Sequence, residues 1–88
     1  MIVKLKFHKE FDKHFRKLRP GEQNRARERI KLFASEPFHQ ILNNHALKGQ
    51  YTGYRSINIT GDIRAVYRLI SEDTVLFLDI ESHSNLYR

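Results

Sequence analysis

The sequence predicts one α+β domain, an antiparallel-rich sheet with a helical hairpin packed on one face, in the order β-α-α-β-β-β. Three observations lead there. A period of two occurs at both ends of the chain, a helical period fills the segment between, and 88 residues suffice for only one core. The domain is therefore expected to span residues 1–88.

The elements follow in order. Val3, Leu5 and Phe7 alternate with Lys4 and Lys6, the signature of a half-buried strand. From His8 the spacing changes: Phe11, Phe15 and Leu18 share one helical face, and Pro20-Gly21 is expected to close that segment. A second helix is expected from about Glu22, with Ala26, Ile30 and Phe33 on its apolar stripe, ending before Pro37. Strands are expected near residues 53–60, 63–71 and 74–81, separated by Thr60-Gly61-Asp62 and Ser71-Glu72-Asp73. The order makes these three a meander, and the first strand must join the same sheet, where the edge beside the last is one place for it.

A three-residue turn at 60–62 fixes the register. It sets Ile59 against Ile63, Ile57 against Ala65 and Arg55 against Tyr67, a mostly apolar face suited to burial under the helices. Tyr54, Ser56, Asn58, Arg64, Val66 and Arg68 then point the other way, onto a polar, solvated face able to hold a phosphate and stack a base.

Composition narrows the function. Hydrophobic residues make up 40% of the chain and charged residues 30%, and no apolar run approaches the roughly 20 residues of a spanning helix. Lysines at positions 4, 6 and 9 interrupt any signal-peptide core, so a cytoplasmic protein is expected. The chain contains no cysteine, which excludes disulfides and thiolate chemistry. The net charge is +6, and it is polarised. Residues 1–48 hold twelve basic and five acidic side chains, while residues 49–88 hold four and five. A domain this cationic attracts phosphate backbones or an acidic protein.

His8, His14, His39, His45 and His83 show no metal-ligand spacing, and no glycine-rich phosphate loop occurs, so no metal or cofactor is expected. His45 and His83 flank the strands that carry Arg64. Two histidines about an arginine suit phosphodiester transesterification: one activates a ribose 2′-OH, the other protonates the 5′-oxygen, and the guanidinium balances the added charge. Each is also a common kind of surface or capping residue.

Leu47-Lys48-Gly49, Gly53-Tyr54-Arg55-Ser56, Ile59-Thr60-Gly61-Asp62, Arg64, Val66-Tyr67 and the terminal Ser82-His83-Ser84-Asn85-Leu86-Tyr87 form a recurring ladder. With it, the chain resembles the RelE/ParE toxin superfamily, most of all the YafQ- and YoeB-like mRNA interferases of type II toxin–antitoxin pairs. The resemblance implies a ribosome-dependent endoribonuclease that cuts mRNA in the decoding site without metal. It also implies a monomer when unbound, and a higher assembly with an acidic antitoxin. By position, it implies His45 as general base, Asp62 as a supporting acid, Arg64 as the transition-state cation, His83 as general acid and Tyr87 as a substrate-orienting aromatic. The two proton-transfer roles are interchangeable at this level. Lys48, Arg55, Asn58, Arg68 and Arg88 are the expected RNA contacts.

Three positions depart from the YafQ-like pattern: Asn58 stands where relatives carry a histidine, Ile63 where a tryptophan is common, and Asp79 where arginine is frequent. The core set His45, Arg64 and His83 is intact. ParE-like gyrase inhibition and an inactive antitoxin- or RNA-binding role are the alternatives, and the two histidines weigh against the first.

Overall fold

The computed structural model describes residues 4–86. Strand β1 (Lys4–Phe7) leads into helices α1 (Lys9–Lys17) and α2 (Pro20–Ser35). A two-residue strand β2 (His45–Ala46), then β3 (Arg55–Asn58), β4 (Ile63–Leu69), β5 (Thr74–Ser82) and the one-turn helix α3 (His83–Leu86) complete the order. Five strands form one sheet in the order β1-β5-β4-β3-β2. Strand β1 runs parallel to β5, and every other pairing is antiparallel.

The architecture is the α+β arrangement expected, with the first strand beside the last. Local chemistry sets the helix boundaries. His8 caps α1, its Nδ1 accepting the Glu10 N–H at 3.0 Å. Pro20 does not close the first helix; it opens the second. At the first helical position its missing N–H has no intrahelical partner to lose, and its fixed φ is already helical. The Glu22 carboxylate accepts the Arg19 N–H at 3.0 Å, securing that start. Only Leu18 and Arg19 separate the helices, so the hairpin is tight.

The predicted register holds: Arg55 faces Tyr67, Ser56 faces Val66, Ile57 faces Ala65 and Asn58 faces Arg64. Ile57, Ile59, Ile63, Ala65 and Tyr67 join Phe11, Ala26, Ile30 and Phe33 of the helices in the main core. Phe77 sits at its centre, with ring centroids of Phe11, Phe33 and Tyr67 all within 5.8 Å. A bulge breaks the β4–β5 ladder, because Tyr67 faces Phe77 while Val66 faces Asp79, leaving Leu78 as the extra residue.

The opposite face departs from expectation. It is partly covered, not simply solvated. Leu47, Val66 and Leu86 form a second buried cluster, with Tyr51, Tyr54 and Leu78 packed around it. The C-terminal turn folds back over the sheet and its Leu86 contributes the lid. Ser56 and Val66 are fully buried as a result.

Candidate active site

Strand β2 brings His45 onto the second sheet face. Its Cα partner is Ser56, whose own partner on β4 is Val66, so His45 shares a face with Asn58, Arg64 and Arg68. The loop joining β2 to β3 turns on Gly49 and Gly53, with φ of 67° and 95°, values that a side chain would strain. This turn lets the Leu47 N–H reach the Tyr54 carbonyl at 2.9 Å and seats Leu47 in the small core.

The imidazole of His45 is exposed, but its orientation is set. Asn43, in the left-handed region at φ 45°, presents its carbonyl 2.8 Å from Nδ1. A carbonyl only accepts, so Nδ1 carries the proton, and in the neutral ring Nε2 keeps a lone pair. Nε2 is thus the ring atom able to take a proton.

Asn44, just before His45, anchors the segment. Its Nδ2 donates to the Pro37 carbonyl at 2.8 Å, and its Oδ1 accepts from Arg55 Nε at 2.8 Å and from the Tyr67 hydroxyl at 3.0 Å. Burial pushes the Tyr67 hydroxyl above its ordinary pKa, with Asn44 and Arg55 opposing the shift. The sequence offered no sign of this junction, because its members lie 11 and 23 residues away from Asn44.

The β3–β4 turn gathers a second group. Thr60 Oγ1 accepts the N–H groups of Asp62 and Ile63 at 3.2 and 2.9 Å. The Arg64 guanidinium, half-buried, donates through Nη1 to the carbonyls of Thr60 at 2.9 Å and Ile63 at 3.2 Å. The His83 N–H donates to the Asp62 carbonyl at 2.8 Å, docking the start of α3 on this turn. Ser82 caps that helix by accepting the Asn85 N–H at 3.2 Å. Asp62, Arg64 and His83 thus meet at one corner. His45 lies across two strands, with its Cα about 12 Å from that of Arg64, given strand spacings of about 4.8 Å and a rise of about 3.4 Å.

The other predicted residues divide. Lys48 is exposed at the start of the β2–β3 loop, and the Arg68 guanidinium lies 5.9 Å from the Tyr54 ring on the candidate face. Asn58 lies on that face, and its Oδ1 and the Ser56 Oγ are buried without a hydrogen-bond partner among the described residues. Arg55 does not join them. Its side chain is held by Asn44 and lies 5.5 Å from the Phe38 ring, tied to the Tyr67 side of the sheet. Asp79 turns away too, its carboxylate 2.5 Å from His14 Nδ1 on α1. Tyr87 and Arg88 lie outside the described residues.

The model of a family described as the bacterial toxin of the type II toxin–antitoxin system, YafQ, matches residues 3–88. The chain belongs to the YafQ toxin family. Solved structures agree with this placement. YafQ from E. coli strain BL21(DE3) superposes with a TM-score of 0.82 at 16% identity, covering 100% of both chains. A copper-bound mutant toxin from Helicobacter pylori is 31% identical, with a TM-score of 0.72, covering 98% of this chain and 100% of its own. The toxin in an E. coli DinJ–YafQ toxin–antitoxin complex matches at 19% identity, with a TM-score of 0.74 and 96% of each chain covered. No curated protein sequence matches the chain. Within this YafQ-family toxin, no helix among the described residues is long and apolar enough to cross a membrane.

Proposed function

We propose that this toxin is an mRNA endoribonuclease acting by 2′-OH transesterification on ribosome-bound message. The observation that supports the reading is that His45, with Nδ1 held by the Asn43 carbonyl, shares a sheet face with Arg64, whose turn also docks the backbone of His83. In this mechanism His45 Nε2 takes the proton of a ribose 2′-OH, and the 2′-oxygen attacks the adjacent phosphorus. The P–O5′ bond breaks, His83 protonates the departing 5′-oxygen, and a 2′,3′-cyclic phosphate remains. Arg64, anchored at the turn through Nη1, balances the charge that builds on the phosphoryl oxygens. Asp62 fixes the corner through its carbonyl. Lys48 and Arg68 supply phosphate contacts and Asn58 a polar one, with Tyr87 and Arg88 following α3 in the chain.

The partner in this reading is an acidic antitoxin, in keeping with the family and with the cationic first half of the chain. An apolar groove of about 540 Å³ between β1, α1 and α2, lined by Leu5, Phe7, Phe11, Phe15 and Ile30 and flanked by Arg27 and Lys31, suits such a chain.

A cleavage map of one defined mRNA, with and without programmed ribosomes, tests the proposal. Cuts are expected only with ribosomes. His83→Ala should slow them by about 10²–10⁴-fold, and Arg64→Ala by about 10²–10³-fold, with both variants folded. Cleavage undiminished in His83→Ala removes that residue from the mechanism. Inhibition of DNA supercoiling without any RNA cut replaces the reading with a ParE-like one.

A further inference from the structure

Helix α1 and strand β5 bring together a second group of side chains that the cleavage mechanism does not use. His14, Asp79 and Glu81 each offer a ligand atom, and these atoms all lie within 4.8 Å of one another. The group is half-buried: the His14 and Asp79 side chains are only 20% and 16% exposed. His14 Nδ1 faces the Asp79 carboxylate at 2.5 Å, and its other ring nitrogen, Nε2, lies 3.9 Å from Glu10 Oε2 one turn earlier on α1.

The charges do not balance. Two carboxylates stand side by side, and among the described residues no lysine or arginine forms an ion pair with either. Arg64, the Cα partner of Glu81 on β4, directs Nη1 to backbone carbonyls of the turn instead. Glu81 is left with the Asn85 amide at 3.5 Å. Two carboxylates outnumber the one imidazole between them, a negative excess that a divalent cation would offset.

We propose that His14, Asp79 and Glu81 form a binding site for a divalent transition-metal ion of the zinc class, which clamps α1 onto β5. One imidazole nitrogen and two carboxylate oxygens suit such an ion better than magnesium or calcium, which take oxygen donors almost alone. Bonds of about 2.0–2.2 Å put ligand atoms about 3.3–3.6 Å apart around a tetrahedral ion. The His14–Asp79 pair must open by slightly under 1 Å and the outermost atoms close by slightly over 1 Å, within reach of side-chain rotation. Water completes the coordination. Glu10 Oε2, 3.9 Å from Nε2, stands on the far side of the ring, where a carboxylate commonly orients a ligating imidazole. Asp79 directly follows the bulge residue Leu78 on β5, a place where strands commonly re-aim a side chain.

Titration of the metal-free protein with Co²⁺, read by its visible d–d absorption and by calorimetry, tests the site. The wild type is expected to bind one equivalent. Glu81→Gln, which keeps the His14–Asp79 contact and so the fold, should weaken binding by about tenfold or more, and His14→Ala should abolish it. A His45→Ala/His83→Ala variant should bind as the wild type does. Zn²⁺ should raise the melting temperature of the wild type and leave that of Glu81→Gln much less changed. No binding by the wild type, unchanged affinity in Glu81→Gln, or loss of binding in the double histidine variant overturns the proposal. None of these results depends on RNA cleavage, so the site and the nuclease reading stand or fall separately.

Discussion

Replacing Asn44 by alanine tests whether one amide holds the whole segment that presents His45. The substitution removes three side-chain hydrogen bonds: to the Pro37 carbonyl, from the Tyr67 hydroxyl and from Arg55 Nε. Each neutral bond contributes about 1 kcal/mol, and the charge-assisted one about 1.5–3 kcal/mol where solvent is excluded. Arg55 is half-buried, so water replaces part of its loss, and about 1 kcal/mol remains. The expected destabilisation is about 3 kcal/mol. For a domain of this size 1 kcal/mol moves the midpoint by about 5 °C, so the melting temperature should fall by about 15 °C. Tyr67→Phe, which removes one of the three bonds, should cost only about 1 kcal/mol. The assay is thermal and urea unfolding of both single variants and the double. If the junction is real, the double variant is less destabilised than the sum, by about 1 kcal/mol. A fall below about 5 °C for Asn44→Ala, or strict additivity, refutes the reasoning.

Other outcomes follow from the same structure. Asp73 accepts from the hydroxyls of Thr74 and Ser71, which hold its carboxyl below the usual range. The folded state therefore binds the proton less readily than the unfolded state, and the contribution is complete above the ordinary carboxylate pKa and lost as pH falls through the depressed value. Asp73→Asn should flatten the acid limb of a pH–stability profile, and an unchanged limb counts against the assignment. Leu86→Ala removes the buried lid of the small core and should cost about 2–4 kcal/mol while loosening α3, so that cleavage falls more than the stability of the main core predicts. Equal hydrogen-exchange protection of α3 in both proteins would contradict that. The unbound toxin should melt lower than its antitoxin complex and lose that gap in high salt, as differential scanning calorimetry would record.

Periodicity made the main core legible because the alternation at Ile57, Ile59, Ile63 and Ala65 allows only one register to bury every apolar residue. The same logic put Arg64 and Asn58 on one face. Pro20 was misassigned because a proline is equally at home after one helix and at the first position of the next, and only the length of the connection decides. Strand β2 was hidden by its two-residue length, and the bulge at Leu78 by the absence of any turn residue there. The cover over the second face escaped notice because Leu47, Val66 and Leu86 are isolated apolar residues in the sequence and meet only in three dimensions. At the candidate site, the family resemblance singled out His45, Arg64 and His83, whereas Asn44 and the His14–Asp79 contact join residues up to 65 positions apart. Such partners leave no periodic signal.

The pairing of β1 with β5 has a consequence for how the protein is made. Lys4–Phe7 leave the ribosome well before their hydrogen-bonding partner, which begins at Thr74. That strand also donates Phe77 to the centre of the core and ends where His83 begins. A chain growing from its N-terminus can form the helical hairpin early, but it has no sheet to lay it on. The cooperative fold, and with it the assembled corner of Arg64 and His83, must wait until β5 has emerged. On the proposed function, a nascent toxin remains harmless to the ribosome translating it until β5 and His83 have emerged.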